Sequence, residues 1–554
     1  MKKYLFFLVI FGFTTTVLSQ TGPVNMGVIE PTNTIGHFSE GFVQHLNSSK
    51  EEFFLSTLAK GSSEYFGIPN GVQDRKYISR IGATGLPVWN AVIFGATDLQ
   101  TLNSSQDFAA VDKSDNFYII CKPSYTGATF VDAAGTAINF NPDHHKLIKI
   151  NKDGILLWSK DFYAFNAGVR LDHNDEVYLF GNNLGLVNEP ISGTSIIKVN
   201  GQTGNVMYVR NDFNIAPYQF IPAFDAANNL YLFTEPMAGS GDQFYSVGTV
   251  NIPLNESGLN SLLIKFDNSG NPVFGKNFYP VLNPSNSYSW INDAVFDGSD
   301  FILSGNHNAG SSTSSYVGIS GTPIQNHYGR NSAGLIAKVD LNGNVVWEKD
   351  IQSSQGLGGG MYTNVELDDQ KNIYAYLNFK DKIRFNNIEY DFGTLPESKV
   401  ICKWDNEGHL KYFEQGDKSG SSFQNRFYYN MIDVIGVDKF NILGYTSNPF
   451  FMSIPLYNSA IPKMYIATFQ GENLVAYENI PAKYRIFPNP TSDILNIETQ
   501  QKISKIEIFE LSGKLVKSVE GKAKNISVSN LTNGMYLIKL YTESGVMNSK
   551  FIKK

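Results

Sequence analysis

Cysteine is nearly absent from this chain: Cys121 and Cys402 are the only two in 554 residues. A disulfide framework is therefore excluded. Isolated cysteines of this kind are ordinarily small buried residues, with a single bridge as the other option. Charge is sparse too, at 17% of residues. After Tyr4–Phe13, no apolar stretch approaches the roughly 20 residues of a membrane helix, so the mature chain is expected to be soluble. The eight His are scattered without zinc-ligand spacing. Positive charge is short in the body. The last 71 residues hold 11 Lys+Arg against 6 Asp+Glu, and the first 19 hold two Lys, which leaves −14 on residues 20–483. A body of that sign does not suit nucleic acid or an anionic membrane.

What is abundant is glycine and aromatics, with 49 Gly, 40 Phe and 29 Tyr, and they recur in a pattern. One unit reads apolar–Lys–apolar–Asp/Asn, a glycine turn, then an apolar run ending in an aromatic. It appears as Ile148-Lys149-Ile150-Asn151 with Gly154 and Trp158, and as Ile197-Lys198-Val199-Asn200 with Gly204 and Tyr208. Further copies centre on Lys265, Lys338 and Lys403, a weaker one on Arg80, and a degraded one on Tyr465–Phe469. A second unit is an apolar residue, Asp, a short polar turn and an aromatic strand. Its copies start at Asp112, Asp172, Asp225, Asp297, Asp368 and Asp438. Each unit reads as strand, tight turn, strand.

Seven first units at a spacing of about 65 residues, with six second units, imply a seven-bladed β-propeller with generous loops. The missing piece is sought near the start of the mature chain. Glu51–Ser56 and Glu64–Ile68 have strand character, so residues around 50–70 are expected to close the last blade and hide its edges. The two-unit pattern resembles the bacterial propeller repeats called SBBP repeats, over roughly residues 75–475, a likeness that implies a fold and no activity.

Candidate chemistry in the body is weak. Asp267-Asn268-Ser269-Gly270, Asp340-Leu341-Asn342-Gly343 and Asp405-Asn406-Glu407-Gly408 look like calcium loops but lack the further oxygens and the twelfth-position Glu of an EF-hand. They read as hairpin turns. The Lys–Asp–Gly–Trp unit around Lys338 and Trp347 resembles the tryptophan-docking repeat of quinoprotein dehydrogenases, without the adjacent Cys pair typical of many of them. It reads as blade packing. The spacing of sialidase Asp boxes is not met. His144 and His145 are adjacent and point apart in an extended chain. The run Gly356–Gly360 has no Lys-Ser/Thr after it and is no phosphate cradle. The pair Asp368-Asp369 sits in a turn. No catalytic, cofactor-binding or metal-binding residue is assigned.

The tail is the most specific part. Leu495/Ile497, Ile506/Ile508 and Ile526/Val528 alternate with polar neighbours, which puts one side of each strand in a core. Turn chemistry separates them at Ser512-Gly513-Lys514 and Thr532-Asn533-Gly534, implying a small antiparallel sandwich. With Phe487-Pro488-Asn489-Pro490, Gly513, Gly534, Tyr536 and the terminal Lys553-Lys554, the stretch resembles the type A C-terminal sorting domain of Bacteroidetes-type bacteria. That resemblance implies an Ig-like sandwich recognised by the type IX secretion machinery, usually cleaved, and a cell-surface or secreted destination. The other end agrees. Met1-Lys2-Lys3, the apolar Tyr4–Phe13 and Val17-Leu18-Ser19 form a signal peptide.

The expected organisation is a signal peptide at 1–19, a propeller body at 20–475, a linker at 476–483 and a sorting domain at 484–554. The expected function is an exported, non-catalytic module that binds a glycan or a protein. A hydrolase or lyase acting at the propeller mouth and a structural or adhesive surface component are the alternatives.

Overall fold

In the computed structural model, all regular structure among the described residues is β-strand. Described are residues 25–29, most of 37–470 and most of 484–554, leaving out chiefly 1–24, 96–107, 280–287, 355–364, 419–431 and 471–483. The expected signal peptide, the linker, the Gly356–Gly360 run and Gly513 lie outside the described residues. Among those described, no helix is long and apolar enough to cross a membrane. Contacts form two compact units, one within Gln20–Glu472 and one within Asn473–Lys554.

Among the described residues, the larger unit contains seven sheets of four or more strands with one common antiparallel order, beside four two-stranded hairpins. Sheet I runs His37–His45, Phe53–Lys60, Arg75–Ile81, Pro87–Phe94, and is extended by Ala128–Val131 and Ala137–Phe140. Sheet II runs Ala109–Val111, Phe117–Cys121, His145–Ile150, Leu156–Tyr163, with Gly185–Leu186 at its edge. Sheets III and IV begin with Asn166–Leu171 and Pro217–Phe224 and end with Val206–Arg210 and Pro272–Asn277. Sheets V and VI begin with Tyr288–Phe296 and Val365–Leu367. Sheet VII is Ile432–Gly436, Lys439–Thr446, Lys463–Gln470 and, from the other end of the chain, Asn25–Ile29. First strands touch at the junctions I–II, II–III, IV–V, V–VI, VI–VII and VII–I, and Asn182 of sheet III donates to Pro217 O of sheet IV, so they form the inner wall of a propeller-like ring.

Two expectations change. Phe53–Lys60 does not close the last sheet; it is the second strand of sheet I, and Glu64–Tyr65 pairs only with Ile68–Pro69. The closing strand is Asn25–Ile29, in register with Met464–Thr468. The reason is the order of the units. Within each sheet the Asp unit supplies the two inner strands and the Lys unit the two outer ones. The Arg80 unit therefore needs an inner hairpin before it, which is 37–60. The last Lys-type unit lacks only its outermost strand.

The core lies between successive sheets. Ile148, Leu179, Ile197 and their neighbours pack across I–III, Tyr178, Phe224 and Ile264 across III–IV, and Phe233, Phe301 and Leu335 across IV–V. Central strands such as His145–Ile150 and Thr194–Val199 are buried on both faces, while the outer Leu156–Tyr163 alternates. Cys121 and Cys402 are both buried and free.

The Lys and Asp that mark the two units meet. Lys149 Nζ lies 3.3 Å from Asp112, Lys198 3.3 Å from Asp172, Lys338 2.7 Å from Asp297 and Lys403 3.9 Å from Asp368. Each lies between the sheet's inner and outer hairpins. In three of these sheets the lysine also sits over a tyrosine ring, at 4.8 Å for Tyr118, 4.9 Å for Tyr178 and 5.3 Å for Tyr374. The same ammonium groups reach the next sheet: Lys149 donates to Gly201 O (2.9 Å), Lys198 to Asn268 (2.9 Å), Lys338 to Asn406 (3.0 Å) and Lys403 to Asp438 (2.5 Å). The other Asp oxygen holds the turn; Asp172 Oδ1 accepts from the Asn174 and Glu176 amides.

The outer aromatics dock on the next sheet's glycine turn. Trp89 Nε1 donates to Lys152 O at 2.9 Å and Trp347 Nε1 to Asn406 O at 3.1 Å. Gly154 has φ +80°, and a Cβ there would stand 2.7 Å from Trp89 and Ala133. Gly135 has φ +88° but open space around it.

Two stability outcomes follow from this packing. Lys198→Met strands a buried carboxylate and is expected to cost about 3–5 kcal/mol in denaturant unfolding. Lys198→Met with Asp172→Asn should recover most of that loss, and an unchanged single variant would remove the ion pair from the fold's essentials. Gly154→Ala should destabilise clearly more than Gly135→Ala, which carries only the left-handed backbone cost of about 1–2 kcal/mol. Equal midpoints for the two would show that the Trp89 dock does not constrain the turn.

Candidate functional site

The inner wall carries the polar and aromatic groups that a ligand in the ring would meet. On the side of the ring away from the Asp172, Asp225 and Asp297 turns, the first strands of sheets IV and V begin with Tyr218 and with Tyr288 and Trp290. The Tyr218 and Trp290 rings lie 5.9 Å apart and those of Tyr288 and Trp290 6.1 Å apart. All three are half-buried, unlike the sealed aromatics of the core. Alternation along a strand puts Tyr288 and Trp290 on one side, facing Tyr218 of the neighbouring sheet.

Beside them is an acid in an otherwise apolar strand. Glu235 is the next-to-last residue of Leu230–Pro236 and is buried. Gln219 Nε2 donates to Glu235 Oε1 at 3.1 Å and to the Ile291 carbonyl at 2.6 Å. Burial pushes the Glu235 carboxyl well above its ordinary range, against smaller opposing hydrogen bonds from Ile291 and Gln219. Further along the wall, Arg170 of sheet III reaches Asp293 of sheet V at 2.9 Å, and Asp293 accepts from the Val365 amide of sheet VI. Burial raises Asp293 as well, with Arg170 opposing. His45 Nδ1 meets Asp433 at 2.7 Å where sheets I and VII adjoin.

Two other groupings have the composition of sites. Ser289 Oγ is 2.8 Å from His307 Nδ1 and 2.8 Å from Tyr279 OH, and His307 Nε2 is 3.6 Å from Glu348. Ser289 and His307 are fully buried, so the chain of groups braces sheet V. Burial also holds His307 below its usual range. Ligand atoms of Asp405, Glu407 and His409 lie within 4.8 Å of one another. Asp405 is already engaged, by the Glu407 and His409 amides and by Lys411 at 2.7 Å. Asp267 and Asp340 hold their turns in the same way. These are hairpin turns, in line with their sequence.

His144 and His145 do face apart. His144 is half-exposed beside a cavity, and His145 is buried at the start of its strand. Asp368 caps its own turn by accepting from the Gln370 and Asn372 amides.

In the smaller unit, Tyr484–Phe487, Ile494–Thr499 and Asn525–Ser527 form one sheet, and Leu515–Glu520, Ile503–Glu510, Gly534–Thr542 and Gly545–Lys553 the other. Leu495, Ile506, Ile508, Ile538 and Phe551 fill the space between them. The Phe487–Pro490 segment leads to Thr491, which is zipped to the C-terminal strand. Asn489 Oδ1 accepts from the Ile552 amide at 2.8 Å, Thr491 N donates to Ile552 O at 2.8 Å, and Lys554 N donates to Thr491 O at 2.9 Å. Tyr536 stacks on Phe551 and donates to Thr532 O at 2.8 Å, at the turn before Gly534. Lys553 is buried and its Nζ donates to Lys554 O, while Phe487 stands 47% exposed.

Residues 485–554 match the secretion system C-terminal sorting domain. The sorting domain sets the destination of the chain, which is the cell surface or the medium. No curated protein matches the sequence. Among solved structures, PorZ of Porphyromonas gingivalis, a surface component of the type IX secretion system, is similar at 11% identity and TM-score 0.25, over 93% of this chain and 70% of that one. A PL25 ulvan lyase is similar at 9% identity and TM-score 0.33, over 83% and 96%. The β-propeller domain of the trilobed protease from Pyrococcus furiosus is similar at 8% identity and TM-score 0.28, over 71% and 100%. At these scores none assigns an activity to this chain.

The sequence motifs led to the sorting domain and missed Tyr218, Tyr288, Trp290 and Glu235. One signal was available. Glu235 closes the run Leu-Tyr-Leu-Phe-Thr-Glu, an acid where a buried strand has no call for one.

A pH outcome attaches to His145. Burial, with Lys122 nearby, lowers it from 6.5 to about 4, so the folded state keeps it neutral. As pH falls below 6.5 the unfolded chain takes up the proton first, so stability is lost between about 6.5 and 4. His145→Asn should flatten that part of the stability–pH curve, and an unchanged slope would assign the acid sensitivity elsewhere.

Proposed function

We propose that this chain is an exported seven-bladed propeller, closed between Asn25–Ile29 and Lys463–Gln470, that binds a polysaccharide at the aromatic end of its ring without cleaving it. The reading takes residues 1–19 as a leader that is removed, 20–475 as the body, 476–483 as a linker and 484–554 as the address read by the type IX machinery. The observation that supports binding is the half-buried group of Tyr218, Tyr288 and Trp290 on adjoining inner strands. Aromatic faces stack on the C–H faces of sugar rings and contribute large contact area at little entropic cost. The charges near them are internally matched, as in Arg170–Asp293, so the surface suits a ligand held by stacking and hydroxyl contacts.

A second reading, an acid-assisted hydrolase or lyase, rests on Glu235. A carboxyl kept uncharged by burial can donate a proton to a leaving oxygen. Its hydrogen bond to Gln219 and its depth in the sheet favour a bracing role over that one.

Purified full chain is to be incubated with insoluble and immobilised polysaccharides, with product analysis of the supernatants. Retention without new reducing ends is expected, and Trp290→Ala should weaken it about tenfold or more, the equivalent of about 1.4 kcal/mol. Retention unaffected by Trp290→Ala would remove the aromatic end as the site. New reducing ends that vanish in Glu235→Gln would establish the second reading instead.

A further inference from the structure

We infer that the outer edge of sheet II holds a second ligand site, separate from the inner wall, shaped for one or two rings of a neutral saccharide. The site is a cavity of about 430 Å³ lined by Asp143, His144, Tyr163, Ala164 and Val187. That volume falls among the smaller ligand pockets, which run from roughly 300 to 1,000 Å³.

The lining residues come from three places in the chain, and the sheet brings them together. Asp143 and His144 sit in the turn that enters His145–Ile150, Tyr163 ends the antiparallel partner strand, and Val187 follows the edge strand Gly185–Leu186. Register places Phe162 opposite both His145 and Leu186, and Tyr163 opposite Gly185. The turn is braced: Asn141 Oδ1 accepts from the Asp143 amide at 3.1 Å, and Asn141 O accepts from the His144 amide at 3.1 Å. His145, one residue on, is buried on the other side and anchors the strand. The loop backbone is thus held in place before any ligand arrives, which lowers the ordering cost of binding.

The chemistry of the lining is that of sugar recognition. Tyr163 and Val187 are 39% and 38% exposed and give an apolar floor with one aromatic face. The His144 ring stands edge-on to Tyr163 at 6.5 Å. Among the described residues, no hydrogen bond or ion pair engages the Asp143 carboxylate, the His144 ring nitrogens or the Tyr163 hydroxyl. These three groups supply acceptors and donors at the rim for vicinal hydroxyls. Among the described residues, the lining contains no Lys or Arg and one carboxylate. A uronate or a sulfated sugar would meet that carboxylate unpaired, so the geometry selects neutral or N-acetylated rings over anionic ones.

The test uses the full chain with soluble cellohexaose, xylohexaose and chitohexaose, and with trigalacturonate as the anionic comparison, in calorimetric titration and ligand-observed NMR. At least one neutral oligosaccharide is expected to bind, with trigalacturonate at least tenfold weaker. Tyr163→Ala should weaken the neutral ligand tenfold or more and Asp143→Asn several-fold. The losses in Tyr163→Ala and Asp143→Asn should be of the same size when either is made in a Trp290→Ala background, which separates the site from the one proposed above. Both lining residues are exposed, so matching unfolding midpoints are expected and confirm that the variants are folded. Binding of none of the three neutral probes, or wild-type affinity in both Tyr163→Ala and Asp143→Asn, would overturn the proposal.

Discussion

The larger unit depends on one recurring interaction, a lysine ammonium held between its own sheet and the next. In sheets II and III, Lys149 and Lys198 each meet a buried Asp of the inner hairpin, lie over a Tyr ring and reach a turn of the following sheet. A single buried pair seldom contributes much net stability, because desolvation offsets the attraction. Here the same charge also orders two hairpins and the neighbouring sheet, so its effect is on register and spacing. The Trp docks on glycine turns, and Tyr208 against Gly270, repeat the arrangement in apolar form one strand further out.

Where the repeat departs from this pattern, the substitution keeps the contact by other means. Arg80 in sheet I reaches Glu52 at 2.5 Å, since no Asp ends that inner hairpin. In sheet VII the lysine position is Thr468, which donates to Asn441 at 2.8 Å, and Phe469 beside it stacks on Phe440 at 5.1 Å. Asp438 of that sheet instead receives Lys403 from the sheet before. These two sheets flank the junction where Asn25–Ile29 joins Lys463–Gln470. Pairing Asn25–Ile29 there covers the edge of Lys463–Gln470, which would otherwise template association.

The proposed binding groups occur where this scaffold leaves aromatics half-covered. The inner wall does so at Tyr218, Tyr288 and Trp290, and the edge of sheet II at Tyr163. Many other aromatics are sealed between sheets, as Tyr178 and Phe301 are. Composition alone cannot separate the two populations, because both use the same residue types at the same strand spacing. Buried polar groups such as Ser289 and His307 show the converse: catalytic residue types serve as internal braces when no surface reaches them.

The amino-acid sequence by itself determined the all-β class, the two kinds of hairpin and the sorting domain. Local turn chemistry and period-two alternation are short-range properties, and the Asp-x-x-x-Asn and Asn/Asp-x-x-Gly turns express them within five residues. Only the tertiary structure decided which hairpins share a sheet, and hence that 37–60 belongs to sheet I and 25–29 closes sheet VII. It alone joined the Lys of one unit to the Asp of the other, and gathered Tyr218, Glu235 and Trp290, or Asp143 and Tyr163. Those partners are separated in sequence by tens to hundreds of residues, and their meeting is set by sheet stacking around the ring, a constraint that no local stretch of chain contains.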